Sequence, residues 1–461
     1  MKSGLDFNET FAPVPALAVL RLLIAIATRL DWETDQGDVE TAFLGPDMDT
    51  VLYALVPNWF CKDPKAAPPG FTVRRVLKSI PGIPQGPRLF NKKSHRALTE
   101  LGLKQSKSEF CLYFCNDRKL YLVLWVDDIF LFYPTESMGE ADKLWKGLQA
   151  RFELADREPM RDVLACIMKR DRANRVTTLS QEPAIRKLLE RFHLEDSNDK
   201  LTPMVANLKL SKRQCPPPEL AAVMVDEQSE YRSGVASCIY IVGWTRPECA
   251  NAVGTLCRYM HNPGKEHIAA LKRFLRYLKG TATKGLKYDF GPTSQGGKTG
   301  IYGYFDASHA DCVDTFRSTL GEVFLYYGCP INWSSKRNSV VTTSTNHSEY
   351  CAASRAARMA KWLEMVMVDI NFERDVKPID LFSDSQGAIA MTYNPVNRAA
   401  SKHIEVAHHY AREQQDRGTI TITYVNTRDM LADILTKALG NADFKRHADK
   451  LVFDINWSHK R

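Results

Sequence analysis

The sequence predicts an α/β protein, because segments typical of strands and segments typical of helices alternate along the chain. Leu17, Leu20, Ile24 and Ala27 are spaced by three and four residues, which places them on one buried face of a helix. Residues 120–132 (LYLVLWVDDIFLF) are apolar except for two carboxylates, as expected for buried strands. Later in the chain, strand-like runs precede a long helix with an apolar stripe, and further strands and helices follow. These observations favour sheets covered by helices.

The composition indicates a folded protein with a small excess of positive charge. The chain has 461 residues, of which 44% are apolar and 25% charged, so disordered, collagen-like and low-complexity classes are excluded. This length is enough for about two to four domains. The 62 Lys and Arg residues exceed the 54 Asp and Glu residues by 8. Such a charge suits a polyanionic partner without requiring one.

The cysteine pattern favours a reducing, intracellular compartment. Eleven cysteines are an odd number, and no two of them form a C-x-x-C pair, which argues against a disulfide framework and against a zinc ribbon. The most apolar stretch, residues 15–28, contains Arg21 and follows acidic residues, so it predicts neither a signal peptide nor a membrane span. We expect no membrane contact.

Two stretches predict joints between parts of the chain. Residues 209–230 contain three consecutive prolines, and residues 291–300 read GPTSQGGKTG. The middle part, about residues 231–290, has a helical pattern. In the third part we expect strands at residues 301–308, 320–327, 331–335, 379–383 and 419–425, a long helix from about His347, and a short helix from Asp429.

The adjacent carboxylates Asp127 and Asp128 predict a metal site at a hairpin turn. Both flanking segments are apolar, and unpaired charge beside buried strands is costly unless a cation is bound. Mg²⁺ binds one or two protein carboxylates together with substrate phosphates. The alternative is an ordinary solvated turn. Asp38, in GDVETAFL, could meet this turn from the end of another strand, although acidic residues at such positions are often helix caps.

Two basic segments predict contacts with phosphate groups. The turn at residues 84–87 (PQGP) includes Gln85 and is rich in backbone donors; four cations follow it, at Arg88, Lys92, Lys93 and Arg96. In a predicted helix at residues 267–280, three cations recur on one face, at Lys272, Arg276 and Lys279. Both segments are equally compatible with solvated helix surfaces.

A series of distinctive motifs runs through nearly the whole chain. In chain order they are ETFAPV (9–14), DVETAFL (38–44), PQGPRLFN (84–91), WVDD (125–128), LSQEPAIRKLLERF (179–192), TRPE (245–248), RYLKGT (276–281), YFDASHAD, STLGEVF, INWSSKR, SEYCAA, LFSDSQGAI, KHIEVAHHY and ADILTK. In content and order this series resembles a known family, the reverse transcriptase and ribonuclease H of copia-type LTR retrotransposon polyproteins.

The resemblance implies a right-hand polymerase palm (α+β) and a ribonuclease H-like α/β domain. It assigns the palm with partial fingers to residues 1–200, a linker and helical thumb or connection to residues 201–298, the ribonuclease H-like domain to residues 299–440 and a tail to residues 441–461. The implied activity is that of a nucleotidyltransferase which copies RNA into DNA and cleaves the RNA of the hybrid by two-metal phosphoryl transfer. The implied partners are an RNA template, a DNA primer, an RNA–DNA hybrid, dNTPs and other products of the retrotransposon polyprotein.

The resemblance also assigns roles to individual residues. Asp38, Asp127 and Asp128 would form the metal-binding triad of the polymerase, with two Mg²⁺ or Mn²⁺ ions. Phe43 would lie beneath the sugar of the incoming nucleotide and select deoxyribose, and Gln85 and Arg88 would lie beside the nucleotide and template. Four further acids would hold two metal ions for hybrid cleavage, namely Asp306, Glu349, Asp384 and Asp433.

Three histidines, His403, His408 and His409, form the richest histidine cluster of the chain. No cysteine pair lies nearby, and the segment resembles the family's K-H-I and H-H signature. We therefore expect packing or phosphate contacts here rather than a zinc site. The resemblance further implies location in cytoplasmic virus-like particles and in the nucleus.

The sequence departs from the family pattern at several scaffold positions. Trp125 replaces the usual tyrosine before V-D-D, residues 80–85 read IPGIPQ, and Glu158 and Ala165 stand where glycines are usual. Asn346, His347 and Ser348 replace the usual T-E-A before Glu349. We expect backbone strain where glycine is replaced.

The start of the sequence, close to ETFAPV, predicts that the basic finger strands of the family are missing and that this is the C-terminal part of a longer polyprotein. Two alternatives therefore stay open: a non-catalytic remnant that only binds nucleic acid, and a chain active only as a hybrid nuclease. A DDE transposase is disfavoured by the order of the acids.

Overall fold

The structure is a computed structural model, and it describes residues 9–57, 71–292, 297–372, 376, 378–393 and 410–455. The cluster of His403, His408 and His409 lies outside the described residues. The chain divides into two compact units. Unit 1 comprises Met1–Ala16 and Trp32–Met160, and unit 2 comprises Leu17–Asp31 and Arg161–Arg461. Within the described ranges, none of the helices combines the length and the apolar character that crossing a membrane would need.

The helices follow the apolar periodicities of the sequence. In chain order they are α1 (Leu17–Leu30), α2 (Gly86–Glu100), α3 (Met138–Gln149), α4 (Glu182–Arg191), α5 (Pro218–Val223), α6 (Val225–Trp244), α7 (Ala250–Cys257), α8 (Lys265–Gly280), α9 (Thr345–Asp369), α10 (Gln386–Tyr393), α11 (Tyr410–Asp416) and α12 (Asn441–Ala448). Short 3-10 turns lie at Ala42–Leu44, Thr135–Ser137, Lys212–Gln214, Pro247–Cys249, Thr427–Asp429 and Leu431–Leu435.

The strands are mostly short and rich in β-branched and aromatic residues. They are β1 (Glu33–Asp38), β2 (Asp47–Pro57), β3 (Phe71–Lys78), β4 (Lys104–Gln105), β5 (Leu112–Cys115), β6 (Leu120–Trp125), β7 (Asp128–Tyr133), β8 (Glu158–Pro159), β9 (Asp162–Val163), β10 (Cys166–Asp171), β11 (Val176–Ser180), β12 (Lys284–Asp289), β13 (Ile301–Ser308), β14 (Thr319–Tyr326), β15 (Cys329–Arg337), β16 (Ile379–Ser383), β17 (Ile420–Tyr424) and β18 (Phe453–Asp454).

Unit 1 is built on an antiparallel sheet in the order β4-β5-β6-β7-β1-β8. Strands β6 and β7 form its centre and are buried along almost their whole length, because apolar side chains of α2 and α3 belong to the same core. Leu122 and Leu131 pair across these strands within that core, which also contains Phe90 and Leu144. Strands β2 and β3 form a separate two-stranded antiparallel sheet.

Unit 2 contains two five-stranded sheets, in the orders β18-β12-β11-β10-β9 and β15-β14-β13-β16-β17. In the second sheet β13 pairs antiparallel with β14 but parallel with β16, and β16 pairs parallel with β17. The mixed α/β class predicted from the sequence is therefore confirmed. Its assignment as palm, thumb and ribonuclease H stays a prediction.

Helix α1 lies in the interior of unit 2, as its apolar spacing predicts. Its buried charge, Arg21, donates from Nε to the Ile331 carbonyl at 2.9 Å and from Nη1 to the Gly243 carbonyl at 2.8 Å. The guanidinium also lies 3.8 Å from the centre of the Trp333 ring. Burial lowers the pKa of Arg21 to about 10, so these acceptors are what make a cation tolerable inside an apolar helix.

Two details differ from the sequence-based expectations. The predicted proline-rich joint contains helix α5, because Pro218 occupies the first helical position, where a missing N–H costs nothing. The predicted short helix from Asp429 is instead a pair of 3-10 turns, so Asp433 does not lie on an α-helix and is not on the last helix of the chain.

Candidate active sites

The first carboxylate set lies at the turn between β6 and β7, where the sequence predicts a hairpin. Trp125 pairs with Asp128, so Val126 and Asp127 form the two-residue loop. Val126 has a φ of 58°, a left-handed conformation that is unfavourable for a β-branched residue. The surrounding sheet holds this strained turn and fixes the direction of the two carboxylates.

A third carboxylate is added by strand register. Asp38 ends β1 directly opposite Asp128, and the backbone N–H of Val39 donates to the Asp127 carbonyl at 3.0 Å. The structure therefore brings Asp38, Asp127 and Asp128 together at one end of the unit 1 sheet.

This set concentrates negative charge. Burial, followed by the charges of Asp127 and Asp38, raises the pKa of Asp128 to about 6. Partial desolvation and then the charge of Asp127 raise the pKa of Asp38 as well. No described lysine or arginine offsets the charge on these two groups. A divalent cation would relieve the repulsion.

The predicted nucleotide-binding residues lie in the same unit. Phe43 is half-buried on the 3-10 turn Ala42–Leu44 and packs edge-to-face with Phe90, with 6.0 Å between the two ring centres. Gln85, at the start of α2, is buried, and its Nε2 lies 3.5 Å from Thr50 Oγ1. Arg88 forms an ion pair with Asp49 and lies 4.0 Å from a Glu9 oxygen. To bind a phosphate, Arg88 would have to exchange these carboxylates.

The cations predicted on α2 line one cleft of unit 1. Lys92, Lys93 and Arg96 line a cavity of about 610 Å³ together with Lys78 and Arg151, two cations that the sequence analysis did not single out. Two acids lie among them, Asp47 and Glu100, and Glu100 pairs with Arg96 at 2.8 Å and with Arg151 at 3.6 Å. The cleft keeps an excess of positive charge.

The second carboxylate set lies in unit 2 on two neighbouring parallel strands. In the register of β13 and β16, Tyr304 is opposite Phe382. Asp306 follows Tyr304 by two residues inside β13, and Asp384 follows Phe382 by two residues, directly after the end of β16, so the two acids come at corresponding positions. Asp306 is buried and Asp384 is half-buried.

Glu349 joins this pair from helix α9. Ser344 caps the helix by accepting the His347 N–H, which fixes the first turn and directs Glu349 towards β13. The Glu349 carboxylate accepts a hydrogen bond from the Ala307 backbone, whereas its Oε2 is buried and has no hydrogen-bond partner within the described part of the chain. Burial, and then the charges of Asp306 and Asp384, raise the pKa of Glu349 to about 9.

The fourth acid, Asp433, lies on the 3-10 turn Leu431–Leu435. This turn approaches β14 closely at Gly321, which is the register partner of Asp306. A Cβ at Gly321 would lie 2.6 Å from Thr436 Cγ2 and 2.9 Å from Leu435 Cβ. Burial and the charge of Asp306 raise the pKa of Asp433 to about 6. Gly321 is therefore what lets this segment reach the site.

The donor chemistry of both sets fits Mg²⁺ or Mn²⁺, which bind oxygen ligands. In unit 2, three of the four carboxylates are buried, and one of their oxygens, Glu349 Oε2, has no hydrogen-bond partner in the described ranges, which is the situation that a bound cation corrects. Nevertheless, no group of three His, Cys, Asp or Glu side chains among the described residues is gathered closely enough to hold an ion as it stands.

The predicted basic face of α8 is largely tied to the chain itself. Arg276 Nε donates to the Asn198 carbonyl at 2.6 Å, and Lys279 Nζ donates to the Ser197 carbonyl at 2.7 Å. Lys279 also pairs with Asp199 at 3.2 Å, while Lys272 is exposed. The helix thus uses two of its cations to hold the 197–199 loop.

Several residues of the unit 2 site were missed by the sequence analysis. Thr436 donates a hydrogen bond to Asp306, and Lys437 contacts both Asp306 and Asp433. The motif ADILTK contains both residues, and Lys437 follows Asp433 by four positions, the spacing of an ion pair on one helical face. That spacing could have indicated Lys437 from the sequence alone. Gly321 could have been noticed only as a glycine inside a predicted strand, which is a weaker indication.

Comparison with known proteins places these sites in context. Residues 1–206 match the family model described as "Reverse transcriptase (RNA-dependent DNA polymerase)". The chain is 33% identical over 453 residues to the retrovirus-related Pol polyprotein from transposon TNT 1-94 of Nicotiana tabacum, covering 96% of this chain and 32% of that protein. It is 31% identical to the corresponding polyprotein from transposon RE1 of Arabidopsis thaliana, covering 98% of this chain and 29% of that protein.

The chain thus spans about a third of the length of these transposon Pol polyproteins. Among solved structures, a foamy viral protease-reverse transcriptase in complex with RNA/DNA hybrid matches 88% of this chain and 45% of that chain, with a TM-score of 0.47 and 12% identity.

Proposed function

The chain belongs to the retrovirus-related Pol polyproteins of copia-type transposons, and we propose that it is an RNA-directed DNA polymerase whose second site cleaves the RNA of an RNA–DNA hybrid. The observation that supports this most strongly is the presence of two separate carboxylate sets, each built around neighbouring strands of its own unit. Each set concentrates negative charge where a divalent ion and a phosphate would be needed.

In the polymerase site, Asp38, Asp127 and Asp128 would hold two Mg²⁺ or Mn²⁺ ions. When bound, the ions supply positive charge for the attacking and leaving oxygens of a phosphoryl displacement. The protein's part is to keep the carboxylates aligned through the strained Val126 turn and the β1–β7 register. The reaction would be attack of a primer 3′-hydroxyl on the α-phosphate of a dNTP. It forms a phosphodiester bond, breaks the bond from the α-phosphorus to the oxygen that bridges to the β-phosphate, and releases pyrophosphate.

In the hybrid-cleaving site, Asp306, Glu349, Asp384 and Asp433 would hold the metal ions. The protein brings these acids together from two parallel strands, a helix and a 3-10 turn. A proton on Glu349, which its raised pKa favours in the metal-free protein, would have to leave when a cation binds.

Other residues would position the substrates. Phe43, on its short turn, would exclude a 2′-hydroxyl from the incoming nucleotide. Gln85 and Arg88 would contact the nucleotide or template, and the basic α2 cleft would hold phosphates of the template or primer. On α8, exposed Lys272 is the best candidate for a phosphate contact, since Arg276 and Lys279 already hold the 197–199 loop.

We propose that the chain has four parts, divided at residues 200, 298 and 440, of which residues 1–200 form the palm and partial fingers. We also propose that the protein acts in cytoplasmic particles, where template RNA is available, and in the nucleus, where target DNA is available.

The test is an assay of primer extension and hybrid cleavage by the full chain with a primed RNA template, dNTPs and Mg²⁺. Asp127→Asn should abolish extension and spare cleavage, and Asp384→Asn should do the reverse. Asp117→Asn and Asp416→Asn, which alter exposed aspartates in units 1 and 2, are the matched controls and should retain both activities. Loss of both activities in either site variant would contradict two independent sites.

One specific observation favours a second candidate, a chain active only as a hybrid nuclease. Arg88 is held by Asp49 and Glu9, which competes with nucleotide phosphates. Cleavage without extension in the same assay would establish this alternative. A folded chain with neither activity would be a non-catalytic remnant.

A further inference from the structure

One cation reaches into the hybrid-cleaving site. Lys437 Nζ lies 2.7 Å from Asp433 Oδ1 and 3.4 Å from Asp306 Oδ2. Asp306 and Asp433 are both buried. The ammonium group therefore makes the charge-assisted contacts with two carboxylates that a metal ion would also need.

The rest of Lys437 is suited to withdrawing from these contacts. Its side chain is 40% exposed, in contrast to the carboxylates it touches, and it also lines a cavity of about 320 Å³. Arg258 and Asp311 line the same cavity and pair there at 3.6 Å through Asp311 Oδ2, while Asp311 Oδ1 is buried and has no hydrogen-bond partner among the described residues. A long flexible side chain with an acceptor in the adjacent space can move its charge without unfolding its segment.

The hydroxyl of Thr436, the residue before Lys437, has a different role. It donates to Asp306 and lies 3.2 Å from the Asp433 carbonyl, so it holds the backbone of the turn against β13. Withdrawal of Lys437 would therefore leave Asp306 and Asp433 in place.

From these contacts we propose that Lys437 is a resident counter-cation that neutralises Asp306 and Asp433 in the metal-free protein and competes with the divalent ion for them. The inference rests on the proposed role of these acids in metal binding. It predicts that removing the ammonium strengthens metal binding while weakening the metal-free fold. A residue that merely positions the acids would have the opposite effect on metal affinity.

The experiment is titration of the full chain with Mn²⁺, followed by the electron paramagnetic resonance signal of the free ion. Binding that disappears in Asp384→Asn defines the site. Lys437→Met should lower the Kd of that site about tenfold, because a unit charge within about 4 Å of two carboxylates is a strong competitor. Lys437→Arg keeps the charge and should stay within about twofold of the wild type.

The matched control is Lys361→Met, which removes a lysine paired at 2.6 Å with Glu364 on α9. Its Mn²⁺ affinity should be unchanged. A second measurement is thermal unfolding in EDTA, in which Lys437→Met should unfold at a lower temperature and gain more from added Mn²⁺ than the wild type. If Lys437→Met does not fold, Lys437→Gln replaces it.

An unchanged or weakened Mn²⁺ affinity in the neutral variant overturns the inference. Cleavage assays separate this failure from a failure of the proposed function. Wild-type chain that cleaves hybrid, with no affinity change in Lys437→Met, refutes only the role of Lys437. Wild-type chain that does not cleave, with the expected affinity change, refutes the nuclease proposal and leaves Lys437 as a counter-cation.

Discussion

Glu349→Gln should stabilise the metal-free protein at neutral pH. The pKa of Glu349 is raised from 4.5 to about 9 by burial and by Asp306 and Asp384, so the folded state keeps the carboxyl protonated while the unfolded state ionises it. Stability from this group is complete below the unfolded pKa and falls as pH rises towards 9. At pH 7, about 2.5 pH units above the unfolded pKa of 4.5, the free energy of unfolding is lower by roughly 3 kcal/mol. Glutamine, which does not ionise, avoids this loss.

The pH window is chosen to isolate this group. The pKa of Asp433 is raised to about 6, so this group makes the free energy of unfolding fall with pH only below about pH 6. Between pH 6.5 and 8.5 the wild type should lose about 1.4 kcal/mol per pH unit through Glu349, and Glu349→Gln should lack this slope. Hydrogen exchange of α9 peptides in EDTA reports the opening free energy of this helix itself.

A buried glutamate on the same helix provides the control. Glu364 pairs with Lys361, so Glu364→Gln should keep the wild-type slope and lose some stability. Added Mn²⁺ should stabilise the wild type more than Glu349→Gln. The reasoning is refuted if Glu349→Gln shows the same slope as the wild type between pH 6.5 and 8.5, or opens more readily at pH 8.

Three further substitutions test packing around the sites. Gly321→Ala places a Cβ 2.6 Å from Thr436 Cγ2, so it should cost about 1–3 kcal/mol and abolish hybrid cleavage while primer extension continues. Ala165→Gly relieves a φ of 54° in the tight turn between β9 and β10 and should raise the free energy of unfolding by about 1 kcal/mol in urea denaturation. Arg246→Met leaves the buried Glu248 without its ion-pair partner at 2.7 Å and should cost about 3–5 kcal/mol, which a second change of Glu248→Met should largely restore.

The hairpin that carries Asp127 and Asp128 was predictable because its local sequence is unambiguous, whereas the roles of the other acids came only from the family resemblance. Two apolar runs around Asp127 and Asp128 allow little besides a buried hairpin, and the structure confirms it. The helix carrying Leu17 and Leu20 was equally clear from its spacing. In these segments local preference and tertiary environment agree.

The features that sequence could not supply depend on distant parts of the chain. Arg21 is stable in an apolar helix because carbonyls at Gly243 and Ile331 accept its hydrogen bonds, 222 and 310 residues away. The turn at Leu164 and Ala165 has positive φ at both positions, although neither residue favours that conformation. The replacement of the family's glycine by Ala165 predicted backbone strain at that position. Only the β9–β10 pairing shows that Leu164 lies in the same two-residue turn and is strained as well.

The two carboxylate sets differ in one respect that bears on their metal requirements. In unit 1, no described lysine or arginine offsets the charge on Asp38 or Asp128, whereas in unit 2 Lys437 contacts two of the four acids. A metal ion entering the second site must displace an ammonium group as well as the proton on Glu349, and both cost binding free energy. Hybrid cleavage should therefore need a higher Mg²⁺ concentration than primer extension, and Lys437→Met should narrow this difference by lowering only the cleavage requirement. Equal requirements in the wild type would contradict the argument.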